Sequence, residues 1–540
     1  MNTLLRRGLA AAAVTALGAG LVSAPAAQAD VSRTPQAVNA ADWLSSQVID
    51  GRLINEAFDE PFVDWGLGID TLLALDAVGG YRSKVADIAD ALEDNLGSYT
   101  TGVDFGSPET QYPGAIAKSL VAAQAAGRAA TAFGGRNLVA DTESFVDDDG
   151  AAAGAIRSSV GGAFANTIVQ SLAVRGLVAA GSAEAEKATS FLLRQQCADG
   201  GFRESVPSDA APCEAAGAGG IDATALSVVA LASLSDDAEI GSALTRAGEY
   251  LVGQQDDNGG FGVGGGADSN ANSTGLAATA LETLALDGQA ADAADWLVQR
   301  QVSAYSACGT QLDGEFGAVA FNDLAITQAE EDGIDVSTLD QWRRATAQAI
   351  PALQSYDDPE PLPRTAFGVS VTPSTDGLAV PGMPMTVRVT GMAPSERYCV
   401  YTPEGTAAKA GRATETGTAG IAATAPTTVG LQPVTVYGER DARQGAGKVR
   451  VLPPVKNLPV SLSATKIKRG GSVVVTATGL APLEKARVSY GGSIVVTGKA
   501  TSAGTFRYTL RVGTTTGTKS VSVLGLNATR KGTKTFTVVR

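Results

Sequence analysis

Residues 191–202, FLLRQQCADGGF, and residues 250–261, YLVGQQDDNGGF, are one phrase written twice. Each runs from an apolar helix into Gln and then a glycine turn sealed by Phe. Each is followed by a loop and a helix of small residues, DATALSVVALASL and STGLAATALETLAL. A period of about 50 residues with this content marks a helical repeat, in which neighbours must stack because no single copy can bury its own apolar face.

Outward from these copies, residues 38–355 divide into six helical hairpins. The first helix of a pair carries WLSSQ, YLVGQQ or WLVQRQ. The second is IDTLLALDAV, AIAKSLVAAQAA, NTIVQSLAVRGLVAA, ATALSVVALASL, STGLAATALETL or FNDLAITQAEE. Apolar residues on more than one face suit helices covered on most sides. The pattern predicts an inner ring of buried helices inside an outer ring of amphipathic ones, an all-α (α/α)6 toroid over residues 30–355. Gln47, Gln196 and Gln255 are followed four residues on by Gly51, Gly200 and Gly259, and six on by Leu53, Phe202 and Phe261. Glycine can end each helix in a left-handed cap, and the Gln amide can satisfy free backbone groups at a neighbouring helix end. Gln301 keeps the Gln without the glycine, and hairpins two and three depart further.

On those residues the chain resembles the prenyltransferase and squalene-cyclase repeat family, whose repeat is Q-x-x-x-G-x-W, with Leu or Phe here in place of Trp. The resemblance implies the toroid fold and not a reaction, because one fold hosts unrelated functions. Cyclases of that family protonate an alkene with a D-x-D-D acid. No such run occurs here, the nearest being Asp147-Asp148-Asp149. Its protein prenyltransferases hold zinc with Asp, Cys and His, and this chain has no His. The same lack removes Ser-His-Asp relays and His-ligated metals. No metal set and no cofactor are expected.

After residue 355 the texture changes. YDDPEPLPR lies in a linker, 356–366, and Val/Thr alternation then replaces helical spacing, as in SVVVTATG and TFRYTLRV. Alternation argues for half-buried strands. Gly391, Ala393, Pro394, Glu396 and Val400 recur as Gly479, Ala481, Pro482, Glu484 and Val488, so the tail is a duplication. Two all-β sandwiches that resemble bacterial immunoglobulin-like domains are expected, over 367–453 and 459–540. From Val455 onward fourteen Lys or Arg face the single acid Glu484, within a chain of net charge −15. The second sandwich is therefore strongly basic, and an anionic cell-wall polymer is its expected partner, with plain solubility the alternative.

Residues 1–29 carry Arg6-Arg7, an Ala/Leu-rich run and Ala27-Gln28-Ala29, the layout of an export signal. A secreted, extracellular protein is expected, with the cell wall as the site where its basic tail would hold it, no membrane span and no nucleic-acid partner. Of the four cysteines, Cys197 and Cys213 flank one loop and are expected to pair. Cys308 and Cys399 fall in different domains, and a bridge and two free thiols are both open. Cys308-Gly309-Thr310-Gln311 also resembles the C-G-E-Q thioester of complement and macroglobulin domains.

Two site readings follow. Paired carboxylates facing a cleft can perform acid/base work, and the candidates are Asp64 and Asp70, which precede or open the first inner helix, Asp222 at the fourth, Glu315 in the loop of the sixth hairpin and Asp323 within its inner helix. Capping explains Asp70 and Asp222 equally well. Alternatively, Asp70, Lys118, Asn166, Thr224, Thr274 and Asp323 occupy comparable places on the six inner helices and would line a mouth, with Trp65, Tyr112 and Phe316 as aromatic wall. The preferred expectation is non-catalytic binding of a small molecule or glycan, with the basic tail as surface tether. The rivals are a carboxylate-dependent polysaccharide hydrolase or lyase and a protein-interaction scaffold.

Overall fold

The computed structural model describes residues 33–58, 60–158, 164–262, 268–357, 366–373, 377–401, 409–438 and 443–540. The expected export signal lies outside the described residues, as does most of the expected linker.

Six helices form the inner ring: Trp65–Val78, Pro113–Ala125, Thr167–Ala180, Ile221–Leu231, Ala271–Thr283 and Leu339–Ala352. Each packs on the next and the last packs on the first, so the ring is closed. The outer helices are Pro35–Ser46, Arg82–Asp94, Leu138–Glu143, Ala185–Leu193, Ala238–Gln254 and Asp287–Val298. Small residues dominate the inner ring because the helices approach closely. A side chain at Gly275 would overlap the Gln348 backbone of the next inner helix.

The repeated phrase is a staple between hairpins. Gln196 Nε2 donates to the carbonyls of Gly200 (2.9 Å) and Ala243 (2.7 Å), the latter in the next outer helix. Gln255 does the same for Gly259 (2.9 Å) and Gln289 (3.0 Å). Gly200 and Gly259 have φ near +90° and lie against the carbonyls of Arg246 and Asp292, where a Cβ would collide with backbone.

The last hairpin completes the staple in a way the spacing conceals. Gln301 donates to Gly317 (3.2 Å) and Gln36 (2.8 Å), and Gly317 lies against Asn39 of the first helix. The missing glycine is thus present sixteen residues after its Gln. In hairpin three Gly154 takes the glycine place, and Gln170, from the inner helix, supplies the amide to Gly154 and Ala188. Gln47 departs from the expected role, since its Oε1 accepts from Arg343 (3.2 Å).

The sixth inner helix corrects the sequence reading. FNDLAITQAEE forms Asp323–Asp332, in which only Ala329 is buried, so it is not a ring member. Leu339–Ala352 takes that place, burying Trp342, Arg343, Ala345, Thr346 and Ile350.

Beyond residue 366 the chain forms two β-modules, each of two mainly antiparallel sheets around its own core. The strand Gln444–Val451 alternates exposed and buried residues without a break. The duplicated G-x-A-P-x-E stretch is a turn closed by its own glutamate. Glu396 Oε2 accepts from Ala393 N, and Glu484 Oε2 from Ala481 N, both at 2.7 Å. Ser395 and Leu483 hold positive φ at the turns. Each glutamate is buried against an arginine: Glu396 with Arg443 (2.5 Å) and Glu484 with Arg530 (2.6 Å).

Both cysteine pairs are bridged, Cys197–Cys213 and Cys308–Cys399. The second bridge ties the toroid to the first β-module. There Tyr401 Oη donates to the Ala304 carbonyl (2.8 Å) and meets the edge of Phe316. With its sulfur bonded to Cys399, Cys308 cannot form a thioester with Gln311, which overturns that reading. Among the described residues no helix is long and apolar enough to cross a membrane.

Candidate functional site

On the inner helices, half-buried residues recur at i, i+4 and i+7. Outer helices and ring neighbours cover the other faces, so these stripes face the axis, and their partial exposure means the axis is hollow. Helix four presents Asp222, Leu226 and Val229, and helix five Asn272, Leu276 and Thr279. Two residues after each first position, Thr224 and Thr274 accept the N–H of Phe202 (2.8 Å) and Phe261 (2.9 Å). Thr346 and Gln170 do the same for Val319 and Ile156, both at 2.9 Å. That shared bond sets the register of helix three (Ile168, Leu172, Arg175) and helix six (Arg344, Gln348, Pro351). Helices one and two contribute Gly66, Asp70 and Leu73, and Gly114 and Lys118.

The lumen has two unlike walls. On helices six, one and two, Arg344 pairs with Asp64 and Asp340, and Lys118 pairs with Asp70 at 2.6 Å while donating to the Gly66 carbonyl at 3.0 Å. Asp64 also caps the first inner helix through Leu67 N (2.8 Å). Burial, with Asp70 and Asp64 nearby, pushes the Tyr99 phenol up, so it stays protonated. On helices three to five the middle tier is Leu172, Leu226 and Leu276. Burial raises the Asp222 carboxyl above the usual range, partly offset by the Ser273 hydroxyl. Burial lowers Arg175, and its attraction to Asp76 counters the shift. Asp76 is on helix one and Arg175 on helix three, so this attraction links helices that are not ring neighbours. Asp222 Oδ1, Asn272 Oδ1 and Gln348 Oε1, on helices four to six, are buried without a hydrogen-bond partner.

Of the residues proposed from sequence, Asp70, Lys118 and Asp222 face the lumen and Asp64 stands at its rim. Thr224 and Thr274 are fully buried and committed to backbone, two positions off the lumen stripe. Asn166 caps the third inner helix through Val169 N (3.0 Å), outside the lumen stripe. Trp65 and Tyr112 sit half-buried at the starts of helices one and two. Glu315 accepts from Trp43 Nε1 (2.7 Å), and Phe316 belongs to the junction with the β-module. Asp323 is 79% exposed and pairs with Arg300. The pattern of one polar group per hairpin therefore fails at helices three to six as first assigned. Sequence reasoning missed Tyr99, Arg175, Asn272, Arg344 and Gln348. The fifty-residue offset from Asp222 to Asn272 is the signal that could have found one of them.

Residues 118–314 match the family described as Prenyltransferase alpha-alpha toroid domain. The helical domain is a prenyltransferase/terpenoid-cyclase-like α/α toroid. A type II terpene cyclase, MstE from Scytonema, is 11% identical, with 59% of this chain and 98% of that chain aligned and a TM-score of 0.42. A protein from Actinoplanes is 17% identical over 59% of this chain and 98% of that one, TM-score 0.41. The unsaturated glucuronyl hydrolase of Bacillus sp. GL1 is 12% identical over 60% and 99%, TM-score 0.41. No curated protein matches.

Proposed function

We propose that the toroid is a non-catalytic binding domain whose lumen holds a polyhydroxylated small molecule or glycan end, while the basic C-terminal module keeps the protein at an anionic extracellular surface. The carrying observation is the set of three partnerless acceptor oxygens, on Asp222, Asn272 and Gln348. Unmet buried acceptors are costly, and a ligand rich in hydroxyl donors would relieve them. The leucine wall gives the same ligand an apolar face to rest on. Pairing of Asp64 and Asp70 with cations argues against a free acid/base couple there. The two disulfides support an oxidising compartment.

Native mass spectrometry of the protein as purified tests this reading. A retained mass is expected, lost in Leu226→Trp, which would fill the lumen while leaving the helical circular dichroism unchanged. Absence of any retained mass, together with no thermal shift from a panel of sugars and polyols, would defeat it. The raised Asp222 carboxyl favours a second reading, a carboxylate-dependent hydrolase or lyase with Asp222 as proton donor. Polysaccharide cleavage abolished by Asp222→Asn would support that alternative.

A further inference from the structure

The C-terminal module holds its one acid out of reach. Glu484 is 0% exposed and bonded to Arg530, itself 1% exposed, so the remaining cations of residues 455–540 share their surface with no carboxylate side chain of that segment. Strand register shows where they gather. In Arg530–Val539, Gly532, Phe536 and Val538 point into the core, so Lys531, Thr533, Thr535, Thr537 and Val539 point outward. Lys531 lies opposite Leu524, which lies opposite Arg487. Lys485 shares the outward phase of Arg487 and stands opposite Lys499. At the far end, Lys466 and Lys468 pair with Thr537 and Val539 and point the same way. One face of one sheet thus carries Lys485, Arg487, Lys499 and Lys531 at one end and Lys466 and Lys468 at the other. From Lys531 to Thr537 the strand rises about 20 Å. Between the two ends lie hydroxyls, with Ser522 and Thr533 in mutual contact at 2.9 Å.

We infer that this face binds a linear anionic polysaccharide, an inference that rests on the tether reading above and locates it. Two cationic ends about 20 Å apart are spanned by an extended polymer and not by a single small anion. The intervening Ser and Thr hydroxyls suit sugar hydroxyls. Strand residues pointing outward on this face include no aromatic ring, the platform that single-stranded nucleic acid uses for base stacking.

The test uses the full chain and polygalacturonate, with a single-stranded oligonucleotide and anionic vesicles as competitors, read by biolayer interferometry at low and high salt. The triple variant Lys466→Gln, Arg487→Gln, Lys531→Gln should bind about tenfold more weakly or worse, with a shallower salt dependence. The charge-matched variant Arg507→Gln, Arg511→Gln, Lys534→Gln, away from this face, should keep wild-type affinity. Equal losses in both variants would overturn the assignment of this face, as would tighter binding of the oligonucleotide or vesicles. If the wild-type chain binds no polyanion at all, the tether reading itself fails. Neither result bears on the lumen, which the retained-mass experiment reads separately.

Discussion

Replacing Gly317 with Ala should open the ring. Gly317 has φ +97° and lies so close to the Asn39 carbonyl that a Cβ would overlap it and the start of the Ala40 peptide. The positive φ costs about 1 kcal/mol for a residue with a Cβ. Forcing two backbones apart adds about 1–3 kcal/mol by analogy with overpacked cores. Moving Gly317 also strains the Gln301 amide, whose bonds to Gly317 and Gln36 are worth about 1 kcal/mol each. The expected loss is about 3–6 kcal/mol. Gly181 is the control: it too has positive φ, as the cap of the third inner helix, but nothing lies within 4 Å of its missing Cβ. Gly181→Ala should lose only about 1 kcal/mol. Tryptophan fluorescence during urea unfolding reads the toroid alone, because all four tryptophans, Trp43, Trp65, Trp296 and Trp342, lie in it. Equal losses in the two variants would refute closure of the sixth hairpin onto the first helix.

Three further outcomes follow from the same structure. Burial raises the Glu484 carboxyl, but the Arg530 pair and the amides of Ala481 and Leu526 outweigh it and leave the group below its usual range. Its stabilisation is therefore complete above about pH 4.5 and lost as pH falls, and Glu484→Gln, which strands Arg530, should cost the second β-module about 3–5 kcal/mol by calorimetry. Asp222 has the opposite sign: its folded form holds the proton more tightly than the unfolded chain, so its contribution is present below about pH 4 and declines as pH rises. Asp222→Asn should raise the melting temperature at pH 8 and change little at pH 4, and a drop at pH 8 would contradict the assigned burial. Removing Cys308–Cys399 by paired serine substitution releases a 91-residue separation worth about 4–5 kcal/mol in the chain-entropy account, and limited proteolysis should then cut within residues 303–316, which the intact bridge protects.

The toroid was legible because its copies at residues 191–202 and 250–261 keep Gln, Gly and Phe in one short span. The sixth hairpin was not, because the segment from Val302 to Phe316 separates Gln301 from Gly317 and serves the junction with the β-module instead. Its inner helix also hides, since Arg343 reaches the Ile54 carbonyl and Arg344 and Gln348 face the lumen, leaving LDQWRRATAQAIPA without the Ala/Leu/Val texture of the others. Lumen residues were misplaced by two positions on helices four and five for a related reason. Thr224 and Thr274 are polar and recur at the right period, but their hydroxyls serve the neighbouring turn. In the tail, the repeated Glu396 and Glu484 were visible as a duplication. Their partners Arg443 and Arg530 were not, because they lie 47 and 46 residues away along the chain.

The Thr34 hydroxyl donates to the Leu353 carbonyl at 2.7 Å, and Gln354 reaches the Ala77 carbonyl at 3.0 Å. The beginning and end of the helical domain therefore touch, and a short peptide could splice them. The domain's natural opening then becomes one choice among six gates: new termini cut at an exposed turn between hairpins should still yield the same wheel.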